Sequence, residues 1–399
     1  MALFGATVLR AAKQSQVDAA GALAWTLLPA SLGLLSCAAL GACGGLVAFA
    51  AACLVSSAYL GAGAVLPVGG KAVLITGKAP LQSLGSKNRL LSQVYSLFNS
   101  HFFFLILSGS DTGIGHALAK YLDNLGFVVF AGVLNKNGPG AEELRRTCSQ
   151  RLSLLQLDIT NPTQPVSCLI ATLCFLFLSG LWGVVNNAGI LGFPADGELL
   201  PMSTYRQCMD VNFFGAVEVS KTFLPLLRKS QGRLVNISSM AGGIPLPKYA
   251  AYGASKAALS MFSGVMRQEL SKWGIKVAAI HPSGFRTGTS ELWDKQEKDL
   301  MENLPAGVRR DYGEDYLLEL KSYLLRMPAY CDSDLSPVLN DILHALLAKR
   351  PHGLYTPGKG AYMLLCIFCY FPLWVYDFFI SKLQSFEPVP RALRTSEVL

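Results

Sequence analysis

The stretch that decides the fold is Gly109–Gly115, GSDTGIG, a GxxxGxG loop. A helix-like run, His116–Leu125, follows it directly. Glycines let a backbone approach a pyrophosphate closely, and a helix N-terminus supplies N–H donors and the positive end of a dipole. The loop and its position therefore favour a dinucleotide-binding turn at the start of a helix.

Short apolar runs alternate with helical patterns through the middle of the chain. Near-continuous apolar strands separated by helices predict an α/β fold, a doubly wound, Rossmann-like parallel sheet covered on both faces. Ligands of such sheets bind beyond the carboxyl ends of the strands. The predicted strands are Lys71–Thr76, Phe127–Val133, Leu152–Leu157, Leu181–Val185, Arg233–Ile237 and Ile275–Ile280.

The first strand has two candidates, and only one can fill the central position of the sheet. Lys71–Thr76 ends at Gly77, whereas Phe102–Ser108 ends at Gly109. We favour Lys71–Thr76, because removing Lys78–Gly109 would join Gly77 to the rest of the glycine loop. The segment 78–109 is then an atypical insert, which costs little in closure entropy but interrupts the phosphate-binding turn.

A second atypical segment is Thr163–Ser179, whose core Val166–Leu178 is apolar on every side. That core is too short to span a bilayer, and as a helix on the outside of the sheet it would expose an apolar patch. Both atypical segments end in a Phe/Leu-rich run followed by Ser-Gly, as a translated intron end would. We keep two explanations: translated intron ends, or genuine lineage-specific segments.

The two ends of the chain are apolar. Hydrophobic residues make up 51% of the chain and charged residues only 15%, and its mean hydropathy is +0.37. Between Asp18 and Lys71 there is no charge, and Gly21–Val68 is long enough for two spans of about 20 residues each. Near the other end, Gly360–Ile380 is broken by Pro372 and Asp377, which favours a segment that lies on a membrane or lines a substrate entrance.

Composition also excludes several classes of protein. The apolar content excludes a disordered chain. Lys and Arg number 34 against 26 Asp and Glu, a net charge of +8 without a basic run, so no nucleic-acid partner is expected. The ten Cys are scattered, which favours a reduced chain. None of the five His pairs with Cys or carboxylates at metal-ligand spacing, so we predict no metal site.

Tyr252 and Lys256 carry the strongest chemical signal. Residues four apart lie on one face of a helix, so the Lys256 ammonium would favour the phenolate of Tyr252 and lower its pKa. A tyrosinate near neutrality can take a proton from an alcohol while a hydride leaves to a nicotinamide. Ser239 follows a predicted strand, where its hydroxyl could hold the substrate oxygen. A YxxxK pattern alone also occurs by chance on ordinary helices.

The order of the motifs makes chance negligible and resembles the short-chain dehydrogenase/reductase family. Within that family, further stretches of 71–399 are similar to the 17β-hydroxysteroid dehydrogenases. The motifs, in chain order, are GxxxGxG, Asp158, Asn186-Asn-Ala-Gly189, Asn212, Ser239, Tyr252, Lys256 and Pro282-Ser-Gly284.

The resemblance implies a role for each matching residue. Tyr252 would be the catalytic base, and Lys256 would lower its pKa and hold the ribose. Ser239 would position the substrate, and Asn212 would order a water in a proton relay. The residues implied to bind the cofactor are Gly77, Gly109, Gly113, Ile114, Gly115, Asp158, Asn186, Gly189, Tyr252, Lys256 and Thr287.

The cofactor is implied to be NAD, with NADP possible. The second predicted strand is followed by Leu134-Asn135-Lys136, without the acid that would bind a ribose 2′-hydroxyl or an Arg for a 2′-phosphate. Lys136 leaves NADP open, whereas the resemblance to oxidative 17β-hydroxysteroid dehydrogenases favours NAD.

The resemblance implies a membrane-bound enzyme that oxidises the 17β-hydroxyl of a steroid such as estradiol or testosterone to the ketone. Its partners would be this small apolar steroid, the endoplasmic reticulum membrane and a second copy of the chain. The expected organisation is a membrane anchor (1–70), a dehydrogenase domain (71–345) and an apolar C-terminal segment (346–399). Two alternatives stay open: a retinol or 3-hydroxysteroid dehydrogenase, or a catalytically impaired lipid-binding protein with an interrupted phosphate loop.

Overall fold

The computed structural model describes residues 104–394 except 177–180, 288–297, 299, 301, 303, 327–328, 330 and 384–388. All of these residues belong to one compact unit, 71–399. Three predictions lie outside the described residues: the membrane spans within Gly21–Val68, the strand Lys71–Thr76 and the cofactor residue Gly77.

A seven-stranded parallel sheet forms the centre of this unit, in the order β3-β2-β1-β4-β5-β6-β7. This confirms the predicted Rossmann-like class. The short last strand is the one that sequence patterning missed. The strands are β1 (Phe104–Leu107), β2 (Val128–Val133), β3 (Leu152–Gln156), β4 (Gly183–Asn186), β5 (Arg233–Ile237), β6 (Lys276–Ile280) and β7 (Leu354–Tyr355).

The central strand is β1, so the preference for Lys71–Thr76 was wrong. Phe104–Leu107 lies between β2 and β4, with Leu105 in register with Val129 on one side and with Gly183 on the other. All four of its residues are buried. A four-residue apolar run suits a strand covered on both faces, and this run leads within two residues into the glycine loop.

Helices cover both faces of the sheet. A π-helical turn, Asp210–Gly215, joins two of them. The helices are α1 (Gly113–Asn124), α2 (Pro139–Thr147), α3 (Thr163–Leu176), α4 (Met202–Met209), α5 (Ala216–Ser230), α6 (Ala250–Glu269), α7 (Ala306–Tyr312), α8 (Glu314–Arg326), α9 (Ser336–Leu347), α10 (Ala361–Tyr370), α11 (Leu373–Leu383) and α12 (Arg391–Arg394).

Alternate side chains of β1 enter two different cores. Leu105 and Leu107 pack into a core that includes residues of α1 and α9. Phe104 and Ile106 pack into the opposite core, which includes residues of α3 and α5. Successive residues of a strand point to opposite faces, so a run that is apolar throughout serves both cores.

The two apolar segments of uncertain role both contain helices. The atypical segment after β3 forms α3, with Cys168 buried against the sheet and Val166 exposed. The C-terminal segment forms α10 and α11, which are separated at Pro372. Within the described ranges, none of the helices combines the length and hydropathy needed to cross a bilayer.

Candidate active site

The glycine loop leaves β1 without interruption. Gly109 and Gly113 have φ values of +67° and +62°, which non-glycine residues seldom adopt. A Cβ at Gly115 would lie 2.0 Å from the Gly109 carbonyl oxygen. The Ser110 N–H donates to the Gly132 carbonyl at 2.9 Å, which ties the loop to the end of β2. The interrupted phosphate loop expected from the insert is therefore absent, since the loop continues directly from the central strand.

Asn187 clasps this loop, and sequence reasoning missed it. Its side-chain amide donates to the carbonyls of Ser108 at 3.2 Å and Gly109 at 2.9 Å. The Ser108 hydroxyl in turn accepts from the Asn187 and Ala188 N–H groups, both at 3.1 Å. The neighbouring Asn186, predicted to bind the cofactor, directs its amide inward to the Asn236 side chain at 2.8 Å. The Asn186-Asn187 pair at the end of β4 was the available sequence signal. Successive side chains there point in opposite directions, so one can bond within the core and the next to the glycine loop.

Asp111 places a carboxylate at the end of β2. Both of its oxygens accept from the Leu134 N–H at 3.0 Å, and one also accepts from the Asn135 N–H at 3.4 Å. Asp158, predicted to meet the adenine, follows β3 at the same sheet edge. Its carboxylate accepts from the N–H and hydroxyl of Thr160 at 2.9 and 2.7 Å. The cofactor role of Asp158 stays a prediction.

The loop fits a dinucleotide phosphate. The Ser110 hydroxyl is buried and has no hydrogen-bond partner among the described residues. A Cβ at Gly113 would lie 3.0 Å from the Thr287 Cβ, so the loop also packs against the segment after β6. The predicted cofactor residues Gly109, Gly113, Ile114, Gly115 and Thr287 thus share one cradle. Close backbone approach with N–H donors at a helix start is what a pyrophosphate requires.

Ser239, Tyr252 and Lys256 come together beside this cradle. Ser239 follows β5, and its hydroxyl forms a hydrogen bond with the Tyr252 side chain. The Lys256 Nζ lies 5.9 Å from the centre of the Tyr252 ring, one turn along α6. A Cβ at Gly189 would lie 3.0 Å from that Nζ, so the loop after β4 closes on the lysine. A hydroxyl, a phenol and an amine therefore lie close together at the carboxyl edge of the sheet.

The chain is similar to known proteins, and this similarity identifies its family. The chain is 54% identical to "17-beta-hydroxysteroid dehydrogenase type 2" of Homo sapiens over 354 residues, 88% of this chain and 83% of the relative. Residues 104–298 match the family described as "short chain dehydrogenase". The chain belongs to the short-chain dehydrogenase/reductase family.

Two further comparisons agree with that assignment. The chain is 51% identical to "Estradiol 17-beta-dehydrogenase 2" of Mus musculus, over 73% of this chain and 77% of the relative. A short-chain dehydrogenase from Streptomyces avermitilis has the same fold, with a TM-score of 0.54 at 19% identity, and the match covers 71% of this chain and 94% of that chain. The family match begins at Phe104, the first residue of β1.

The pKa of Tyr252 departs from the sequence-based expectation for this family member. Burial raises it, and the hydrogen bond from Ser239 lowers it by less. Burial has the opposite effect on an amine, because it disfavours the charged form, and it lowers the pKa of Lys256 to about 8. The lysine Nζ donates to the Ile237 carbonyl at 2.8 Å rather than to the phenol. The predicted lowering of the Tyr252 pKa by Lys256 is therefore not found in this state, because desolvation of the phenol dominates.

Asn212 occupies the π-helical turn and is fully buried. Its amide accepts from the Ile190 N–H at 2.8 Å and donates to the Ile190 carbonyl at 2.9 Å. It also donates to the Ser255 hydroxyl at 2.9 Å, and Ser255 donates to the Tyr252 carbonyl at 2.7 Å. Asn212 thus connects the loop after β4 to the helix that carries Tyr252. Single π-helical turns within helices are frequent at functional sites.

Proposed function

We propose that this chain is a membrane-bound, NAD-dependent dehydrogenase that oxidises the 17β-hydroxyl of a steroid such as estradiol or testosterone to the 17-ketone. The observation that carries the proposal is the meeting of Ser239, Tyr252 and Lys256 beside the glycine loop. The similarity to a relative named 17-beta-hydroxysteroid dehydrogenase type 2 supports the choice of substrate.

In the proposed mechanism the Ser239 hydroxyl donates to the substrate oxygen and holds it beside Tyr252. The Tyr252 phenolate removes the hydroxyl proton as the carbon gives up its hydride. A bound oxidised nicotinamide supplies the hydride acceptor and a positive charge that favours the phenolate. Lys256 would hold the ribose hydroxyls of that cofactor, and its lowered pKa suits proton exchange near neutrality.

The Asp111 carboxylate supports NAD as the cofactor. The end of β2 is where this fold meets the adenine ribose, and an acid there binds a 2′-hydroxyl. Leu134-Asn135-Lys136 supplies no acid, but the Asp111 carboxylate lies at that point, against the Leu134 N–H. A 2′-phosphate would meet this negative charge, so NADP is disfavoured.

The helices α10 and α11 support contact with a membrane, which we propose to be that of the endoplasmic reticulum. Their inner side packs on the segment after Ser239, through Ile244 and Tyr376, whose hydroxyl donates to the Pro245 carbonyl. Their outer side exposes large apolar residues, including Trp374 at 70% and Phe378 at 55%. An apolar steroid could pass from the bilayer along this surface to the site.

A homodimer through the π-turn that carries Asn212 and the helix α6 that carries Tyr252 is the proposed assembly. The π-turn and α6 expose Phe214, Met261 and Val265 on their outer faces, with Met261 at 71%. Scattered single exposed apolar residues are ordinary, but several on the π-turn and α6 together favour an interface. Chemical cross-linking in membranes measures the dimer directly.

The decisive assay is NAD-dependent oxidation of estradiol by membranes that contain the full chain, beside a Tyr252→Phe variant. We expect ketone formation by the wild type and a loss of about 10²–10⁴-fold in the variant, the usual contribution of a positioned acid or base. The same membranes are assayed with NADP, for which we expect slower turnover.

Competing substrates test the alternatives. Retinol and a 3-hydroxysteroid are offered in place of estradiol. Preference for either one, with the same dependence on Tyr252, would replace the proposed substrate while keeping the chemistry. Cofactor binding without turnover of any of the three would favour the catalytically impaired protein.

A further inference from the structure

A second buried lysine lies outside the catalytic group. The Lys248 Nζ is 2.7 Å from an Asp196 carboxylate oxygen and donates to the Tyr316 hydroxyl at 2.8 Å. The Tyr316 hydroxyl donates to the other Asp196 oxygen. The three groups therefore close a ring of hydrogen bonds, in which each contacts the other two.

The ring joins three segments that are distant in sequence. Asp196 lies in the loop after β4, Lys248 lies two residues before α6, and Tyr316 is on α8. The first two segments also share a backbone hydrogen bond, from the Ala195 N–H to the Lys248 carbonyl at 3.1 Å. The Tyr316 side chain brings α8 into this polar group.

Lys248 and Tyr316 are buried, and the backbone of Lys248 has an unfavourable conformation. Lys248 is 8% exposed and has a φ of +70°, a conformation that lysine seldom adopts. Tyr316 is buried within an apolar cluster that also contains Leu317 and Leu320 of α8. A buried ammonium requires a paired anion, so the surrounding structure commits these three side chains to one arrangement.

The same apolar cluster reaches the catalytic residues. It includes Ala251, which precedes Tyr252, and Phe193, which lies four residues after Gly189. Helix α8 thus shares one apolar core with the residue before Tyr252 and with the loop that follows Gly189.

We propose that Asp196, Lys248 and Tyr316 form a clamp that fixes α8 as a wall of the substrate site. They are positioning residues that set the affinity for the substrate and leave the hydride step unchanged. This inference rests on the proposed function for its kinetic consequence, and on the hydrogen bonds above for its structural one.

The test is Tyr316→Phe in the full chain, which removes the hydroxyl and keeps the ring. We expect the KM for estradiol to rise about tenfold, the effect of losing hydrogen bonds to charged groups. We expect kcat and the Kd for NAD to stay within about twofold, because the hydrogen bonds described for the clamp involve neither Tyr252 nor the glycine loop. Amide hydrogen exchange in α8 should accelerate about tenfold, while exchange in β4 and β5 stays unchanged.

A matched control is Tyr312→Phe. Tyr312 lies in the preceding helix and donates to Glu198 at 3.2 Å through an exposed hydrogen bond. Exposed hydrogen bonds contribute little, so KM and exchange should match the wild type. The double variant Lys248→Met/Tyr316→Phe should raise the KM no further than Lys248→Met alone, because the groups act as one unit.

Two results would overturn the clamp: unchanged exchange in α8 of Tyr316→Phe, or a fall in kcat at constant KM. A wild type that oxidises no steroid would instead overturn the proposed function. Hydrogen exchange would then still decide the structural half of the inference, because it needs no substrate.

Discussion

Lys248 and Lys256 lie eight residues apart and are both buried, but their surroundings differ in kind. The Lys256 Nζ donates to the neutral carbonyl of Ile237, and burial lowers the pKa of Lys256 to about 8. The Lys248 Nζ instead meets the carboxylate of Asp196. A buried amine with a neutral partner is easier to deprotonate than an exposed one, whereas the pairing of Lys248 with a carboxylate joins two segments of the chain.

This difference indicates that Lys256 takes part in the proposed reaction, whereas Lys248 stabilises the fold. Around Lys256 the fold accepts an amine that is easier to deprotonate than usual, beside the phenol that we propose as the catalytic base. Around Lys248 the fold uses an ion pair to join three segments. Substituting each lysine by methionine, which retains most of the apolar length, should therefore give opposite patterns of damage.

The largest effect is expected from Lys256→Met on activity. Loss of the ammonium beside Tyr252 should lower kcat/KM for estradiol by about 10²–10⁴-fold, the range for a group in acid–base catalysis. The midpoint of thermal unfolding should not fall, because an apolar side chain replaces a desolvated amine. Steady-state kinetics and a melting curve on one preparation measure both, and a large drop in the midpoint would contradict the comparison.

Lys248→Met should act on stability instead. It leaves the Asp196 carboxylate without its cation, and breaking a buried pair costs about 3–5 kcal/mol, reduced here because Asp196 is partly exposed. We therefore expect about 2–3 kcal/mol from denaturant unfolding in detergent, with kcat lowered less than tenfold. Unchanged stability would mean that the ion pair does not hold the three segments together.

The smallest expected effect is a dependence on pH. The pKa of Lys256 falls from 10.5 to about 8 on folding, so the unfolded chain binds the proton more tightly between these values. Stability of the wild type relative to Lys256→Met should therefore rise with pH above 8, by about 1 kcal/mol per pH unit. Unfolding of both proteins at pH 7, 8 and 9 measures it, and parallel curves would show that the amine keeps its ordinary pKa.

Most of the strands and the proximity of Tyr252 to Lys256 could be predicted from the sequence because each has a local signal. Apolar runs fix the strands, and residues four apart on a helix fix how Tyr252 and Lys256 face each other. The first strand was mispredicted because two apolar runs competed for one position. Phe102–Ser108 leads directly into Gly109, but local pattern cannot show which of the two runs is buried at the centre of the sheet.

The clamp and the Asn187 clasp could not be predicted, because each depends on contacts between segments far apart in sequence. Tyr316 lies 120 residues from Asp196, and nothing near either residue indicates the other. The low exposure of Lys248 is equally invisible to composition, since lysines are rarely buried. The direction of the Tyr252 pKa shift was mispredicted because it depends on the burial of the phenol, which the sequence does not show.

The π-turn at Asp210–Gly215 determines how α4 is rotated about the helix axis relative to α5. Each residue of an α-helix advances the chain by about 100° around the axis, so one residue more or fewer rotates everything on one side of that point. Deleting a single residue here would restore a regular helix and turn the face of α4 away from its present neighbours. The Asn212 amide would then lose its hydrogen bonds to Ile190. The number of residues in this turn therefore fixes the geometry of the loop after β4.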